Sequence, residues 1–108
     1  MRFEVLLTAG AVRELQQIDE WIATQDSPAR AVYVVGRIEA AVAALARYPA
    51  RGAHPRELLA LGIREFRETF FKPYRIIYRV ERTRVFVHLI ADGRRDMQTL
   101  LAHRLLGA

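Results

Sequence analysis

The densest pattern in the chain spans residues 63–96. From Tyr74 apolar and basic positions alternate: Tyr74, Ile76, Tyr78 and Val80 fall on one side, Arg75, Ile77 and Arg79 on the other. A period of two is the signature of a β-strand. Val85, Val87, Leu89 and Ala91 repeat it, with Phe86, His88, Ile90 and Asp92 opposite, while Phe66 and Phe70 sit upstream among Arg64, Arg67 and Lys72. The stretch predicts a three-stranded antiparallel meander with an aliphatic and aromatic core face. Arg82-Thr83 is the expected turn of its last hairpin.

The preceding half reads as packing for that sheet. Residues 2–8 predict a short strand, Phe3, Val5 and Leu7 alternating with Arg2, Glu4 and Leu6. Thr8 is placed to cap the next element, and from Ala9 the period turns helical: Val12, Leu15, Ile18 and Ile22 stack on one side. Trp21 flanks that stripe and reads as a core or rim aromatic. Asp26-Ser27-Pro28 marks a boundary, because serine caps and proline at the first helical position loses no needed hydrogen bond. A second helix is expected over 29–47, with Ala31, Val34, Val35, Ile38, Val42 and Leu45 as its stripe, and Pro49 ends it. Residues 50–62 form a loop with a short helical turn at 57–61. Asp92-Gly93 closes the last strand, and 94–106 predict a terminal helix. The order β-α-α-β-β-β, then α, predicts an α+β two-layer fold, an antiparallel helical hairpin on a mostly antiparallel sheet.

A chain of 108 residues fits one domain, 1–108, with a core large enough to need neither disulfide nor metal. Cysteine is absent, which removes disulfide frameworks, Cys-type zinc sites and thiol catalysis. No apolar run approaches the roughly 18 residues of a membrane span. Glu4 interrupts the short N-terminal apolar patch and argues against a signal peptide, so a cytoplasmic protein is expected. Charge is unevenly spread: residues 1–48 hold five Arg against six acids, net −1, and residues 49–108 hold twelve Arg/Lys against six acids, net +6. Such a field favours an acidic protein surface or a nucleic-acid backbone as partner. Sixteen Arg against one Lys also fits general use of Arg in place of Lys.

Candidate chemistry is sparse. There is no phosphate-binding glycine loop and no metal-ligand spacing. His54, His88 and His103 are scattered over a loop, a strand and the last helix. What remains is arginine on strands: Arg64, Arg67, Lys72, Arg75 and Arg79 come from two adjacent strands, and Arg94 and Arg95 follow the third. Residues of one parity project to one face, so the sheet is expected to collect several guanidiniums, whose planar fork suits phosphate or carboxylate. The alternative is local pairing with Glu65, Glu68, Glu81, Asp92 and Asp96.

Five pieces run in order along the chain: Ala11-x-x-x-Leu15-x-x-Ile18, Leu45-x-x-Tyr48-Pro49-x-x-Gly52, Ile63-Arg64-Glu65-Phe66, the run 74–80 (YRIIYRV), and Arg94-Arg95-Asp96 with Leu100 and Leu101. In these the chain resembles the RelE/ParE superfamily of toxins from type II toxin–antitoxin modules. The wording is nearer to the ParE-like branch. The resemblance implies a small basic toxin held inactive in a hetero-oligomer by a cognate antitoxin, which covers it with an acidic, partly amphipathic segment. It implies no cofactor and no metal. In ParE-like members the target is DNA gyrase, bound without chemistry. Arg64, Arg67, Lys72, Arg75, Arg79, Arg94 and Arg95 would then carry target or antitoxin contacts. In RelE-like members the target is messenger RNA on the ribosome, and Arg64 and Arg75 would hold phosphate with His88 as a weak candidate base. The chain departs from that pattern, since nothing aromatic follows Phe86. A degenerate, non-toxic module kept for antitoxin pairing is the third reading.

Overall fold

A computed structural model describes residues 2–107. Strand β1 (Glu4–Leu7) leads into helix α1 (Ala9–Gln25) and helix α2 (Pro28–Ala44). A 3₁₀ turn at Pro49–Arg51 and the single-turn helix α3 (Arg56–Leu59) follow. Strands β2 (Phe66–Phe71), β3 (Tyr74–Glu81) and β4 (Arg84–Asp92) form the meander, and helix α4 (Met97–Leu106) ends the chain. The sheet order is β1-β4-β3-β2, with β1 parallel to β4 and the other pairs antiparallel. This is the expected α+β arrangement, with the first strand beside the last.

The caps act where the residue types place them. Thr8 Oγ1 accepts from the Ala11 N–H at 3.2 Å, and Ser27 Oγ from the Arg30 N–H at 3.0 Å. Helix α2 stops at Ala44, short of the expected 47, and the chain turns through Leu45 towards Pro49. Helix α4 starts at Met97 rather than at residue 94. Asp92 holds Arg94 in a turn, and Asp96 caps through the Thr99 N–H at 3.2 Å.

Both faces of the sheet are covered. Against the helical hairpin, Ala11, Ile22, Ala31, Val34, Ile38, Val42 and Leu45 pack on Ile76, Tyr78, Val85, Val87 and Ile90. On the second face Leu58 of α3 and Met97 and Leu101 of α4 pack on Phe66, Ile77, Leu89 and Ala91. A simple alternation would send Val85, Val87, Leu89 and Ala91 to one face, and the structure corrects that expectation. The β3–β4 register shifts between Ile77 and Tyr78, whose partners are Leu89 and Val87. His88 is the extra residue of a β-bulge, which reverses the parity downstream. Ile90 therefore meets the helical hairpin, while Leu89 and Ala91 face α3 and α4.

Candidate partner-binding surface

The two-sided sheet decides where the cations go. In β2 and β3, Arg67 pairs in register with Tyr78 and shares the helix-covered face, while Arg75 pairs with Phe70 and Ala91 on the second face. Arg79 stands opposite Phe66, also on the second face. The expected single field of guanidiniums is thus divided, since Arg67 has the opposite parity from Arg75 and Arg79.

Arg75 is the most constrained of the set. Its Nη1 and Nη2 donate to the Glu57 carboxylate, both at 2.8 Å, and its Nε donates to Glu68 Oε1 at 2.7 Å. The three side chains are 14%, 13% and 16% exposed. The fork-to-fork contact lowers the Glu57 carboxyl from 4.5 to about 2, against the opposing effect of burial. The same contact raises the Arg75 guanidinium above its ordinary value. Arg75 therefore joins α3 to β2 and β3. It presents no open fork to an outside anion.

The remaining candidates sit at two ends of the sheet. Arg64 precedes β2 and is exposed, and Arg79 lies beside it in register terms, with Nη2 3.3 Å from Glu81 Oε1. Lys72 is exposed in the β2–β3 turn at the other end, the length of β2 away, roughly 20 Å. Arg94 and Arg95 leave β4 at that same end as Lys72. Arg94 is tied to Asp92 by Nε at 3.0 Å and Nη2 at 2.6 Å, which holds the Asp92 carboxyl below its usual range. Arg67, half-buried, donates from Nη1 to the Gly52 carbonyl at 2.7 Å.

Three clefts meet at the Lys72–Arg94 end. One of about 480 Å³ lies between α1 and the exit of β4, and one of about 290 Å³ adjoins it at the start of α2. Both are lined by Trp21, Tyr74 and Arg94, and the second also by Arg30 and Lys72. The third, of about 400 Å³, opens on the second face between His54, Arg56, Glu68, Phe70, Lys72 and Arg75. Residue-type reasoning missed Trp21, Arg30, Tyr74, His54 and Arg56 as surface-site residues. Trp21 is not a core aromatic: it is 64% exposed. The boundary at residues 26–28 carried the available signal, because a tight helical hairpin puts the end of α1 and the start of α2 at one end of the sheet.

The comparisons with known proteins agree with this fold. Residues 5–97 match the family model described as ParE toxin of type II toxin-antitoxin system, parDE. The chain belongs to the ParE toxin family. A solved structure titled "Chromosomal ParDE TA system from P. aeruginosa" is similar, with a TM-score of 0.71 at 18% identity over 84% of this chain and 96% of that one. No curated protein matches the sequence.

In this ParE-family chain His54 shares a cleft with Arg75, whereas the candidate base His88 does not. His88 stacks edge-on against Phe66 with ring centroids 5.6 Å apart, and burial and then Arg79 lower its pKa. It belongs to the Arg79 end of the sheet, away from Arg75. Among the described residues no group of three or more His, Cys, Asp or Glu is placed to hold a metal ion, and no helix is long and apolar enough to cross a membrane.

A second ion pair fixes the bulge. Arg104 of α4 donates from Nη1 to Glu14 Oε2 of α1 and from Nη2 to the His88 carbonyl at 2.9 Å. Glu14 Oε1 accepts the Ile90 N–H at 3.1 Å. A Cβ at residue 10 would collide with the Arg104 guanidinium, so Gly10 is the opening through which Arg104 reaches the strand.

Proposed function

We propose that this chain is the growth-inhibiting half of a toxin–antitoxin pair, that it acts in the cytoplasm by binding DNA gyrase without chemistry of its own, and that a cognate antitoxin neutralises it. Family membership supports the toxin role and the antitoxin partner. The observation that carries the non-enzymatic part is the state of Arg75. Its donors are already taken by Glu57 and Glu68, and neither Arg64 nor His88 stands beside it. A phosphate would have to displace two carboxylates from a largely buried guanidinium. Lys72, Arg94 and Arg95 remain as exposed cations for contact with the target or the antitoxin. The test is supercoiling of relaxed plasmid by purified gyrase. Excess protein blocks the reaction and added antitoxin restores it; unchanged supercoiling at excess protein removes the gyrase reading.

One observation favours a second reading, a ribosome-dependent mRNA endonuclease. His54 donates from Nδ1–H to the Phe66 carbonyl at 3.0 Å, and its ring lines the cleft shared with Arg56, Lys72 and Arg75. On that reading His54 would move the proton, in place of His88. Primer extension on a cellular transcript after induction separates the two, since cleavage creates new codon-associated 5′ ends.

A further inference from the structure

The β3–β4 hairpin tip gathers a second cationic surface, at the end of the sheet opposite Lys72 and Arg94. The Glu4 N–H donates to the Thr83 carbonyl at 2.9 Å and the Phe3 N–H to the Ala46 carbonyl at 2.7 Å, so the start of β1 and the chain after α2 meet at this turn. Phe66 stands opposite Arg79, which brings the start of β2 to the same end. Arg2, Arg47, Arg64, Arg79, Arg82 and Arg84 therefore collect there, against the acids Glu4, Glu65 and Glu81. Glu4 pairs with Arg84 at 3.1 Å and Glu81 with Arg79 at 3.3 Å. Among the described residues the exposed Arg2, Arg47, Arg64 and Arg82 have no carboxylate within salt-bridge distance. A groove of about 540 Å³ lies at the turn, lined by Glu81, Arg82, Thr83, Arg84 and Phe86. Phe86, half-buried, is its one apolar lining residue.

From this we infer that the hairpin-tip end of the sheet grips the phosphodiester backbone of duplex DNA, with Arg2, Arg47, Arg64 and Arg82 on phosphates. A protein interface is anchored by apolar and aromatic side chains that become buried. This groove offers one half-buried ring, whereas a guanidinium fork holds a phosphate unaided. The same scarcity of rings disfavours single strands, whose bases bind by stacking. The dimensions fit a duplex. Arg64 precedes β2 and Arg2 precedes β1, the two edge strands of the sheet. Four strands spaced by roughly 4.8 Å set those edges about 14 Å apart. That is near the roughly 12 Å width of the B-DNA major groove, which admits a two-stranded β-ribbon. The turn carrying Arg82 then faces the groove, and the flanking arginines face the phosphates of its two walls. The inference rests on the gyrase reading for the choice of duplex DNA, the substrate of that enzyme. A toxin docked on gyrase would hold, through its hairpin tip, the DNA on which the enzyme works.

Fluorescence anisotropy of a labelled, mixed-sequence duplex tests this in the absence of gyrase. Wild type is expected to bind with a dissociation constant of roughly 10⁻⁵ M at physiological salt, and log K to fall against log salt with a slope of about −3.6, four phosphates at 0.9 each. R82N keeps the turn, because asparagine tolerates the φ of 57° at that position. It is expected to weaken binding about 8-fold at 0.1 M salt, the factor that one phosphate contact contributes against 1 M. The triple variant R47Q/R64Q/R82N is expected to bind more than about 100-fold more weakly, with the slope reduced to about −0.9 and the unfolding midpoint within a few degrees of wild type. R30Q removes one charge at the other end of the sheet and is expected to stay within about 3-fold of wild type, the size of a remote surface change. A wild-type protein that does not bind the duplex at low salt, or a triple variant that binds it as wild type does, overturns the DNA surface. So does displacement of the duplex by polyglutamate at equal charge, or tighter binding of a single strand of the same length. The supercoiling assay separates the two readings. Wild type that binds the duplex but leaves supercoiling unchanged removes gyrase and keeps the DNA surface. Wild type that blocks supercoiling without binding the duplex overturns the surface and keeps gyrase.

Discussion

Replacing Glu57 by glutamine isolates the electrostatics of the Arg75 centre, because shape and one hydrogen-bond acceptor are kept while the charge is lost. In the wild type the Glu57 carboxyl sits at about 2 instead of 4.5, chiefly through its two contacts with Arg75. A gap of that size corresponds to about 3 kcal/mol at roughly 1.4 kcal/mol per pH unit. The carboxylate keeps some contact with water, which screens the pair, so about 2 kcal/mol is expected for E57Q at pH 7. The sign follows from the depressed value. The stabilisation is complete above the unfolded pKa near 4.5 and fades as pH falls through that of the folded state, near 2. Urea unfolding of wild type and E57Q at pH 7, 4 and 2 measures it. The two curves should be separated at pH 7, approach one another below pH 4.5, and nearly coincide at pH 2. Equal stabilities at pH 7, or a gap that persists undiminished to pH 2, would refute the ion-pair account.

Other perturbations test the remaining supports. R104A strips the Glu14 carboxylate and the His88 carbonyl of their partner and should cost about 2 kcal/mol, the scale of a charge-assisted hydrogen bond; amide exchange should show α4 loosening before the rest of the fold. Y78F removes the hydroxyl that donates to the Pro49 carbonyl at 2.5 Å and should lower stability by about 1–2 kcal/mol in denaturant titration. Arg82 has φ of 57° in the β3–β4 turn, a left-handed conformation that asparagine tolerates better. R82N is therefore expected to raise the melting temperature, by about 0.5 kcal/mol in stability.

The fold was legible in the sequence because its signals are periodic and its boundaries are chemical. Thr8 and Ser27-Pro28 do in the structure what those residue types dictate, whereas helix α2 ends at Ala44, ahead of Pro49, which opens a 3₁₀ turn instead; the change of period from three and four to two separates hairpin from meander. What failed was parity. Counting alternate residues along 85–91 assumes an unbroken ladder, and the bulge at His88 interrupts it. The sequence around His88 carries no glycine or other mark of a bulge; its hydrogen-bond partners, Glu14 and Arg104, come from distant segments. Arg75 illustrates the same limit for function. As a basic residue in a strand it reads as a surface cation, yet Glu57, from a loop-borne helical turn, and Glu68, across the ladder, close around it. Trp21 fails in the opposite sense, since helical spacing at the edge of an apolar stripe does not distinguish a rim position from an exposed one.

The central claim is that the chain inhibits growth by binding, with its best-placed arginine neutralised from within. Mapping 5′ ends of cellular transcripts within minutes of induction, before secondary decay, tests this most directly. Growth arrest with transcripts that keep their original ends is the predicted result. New ends in register with codons, abolished by replacement of His54 or Arg75 in a protein that still folds, would contradict it.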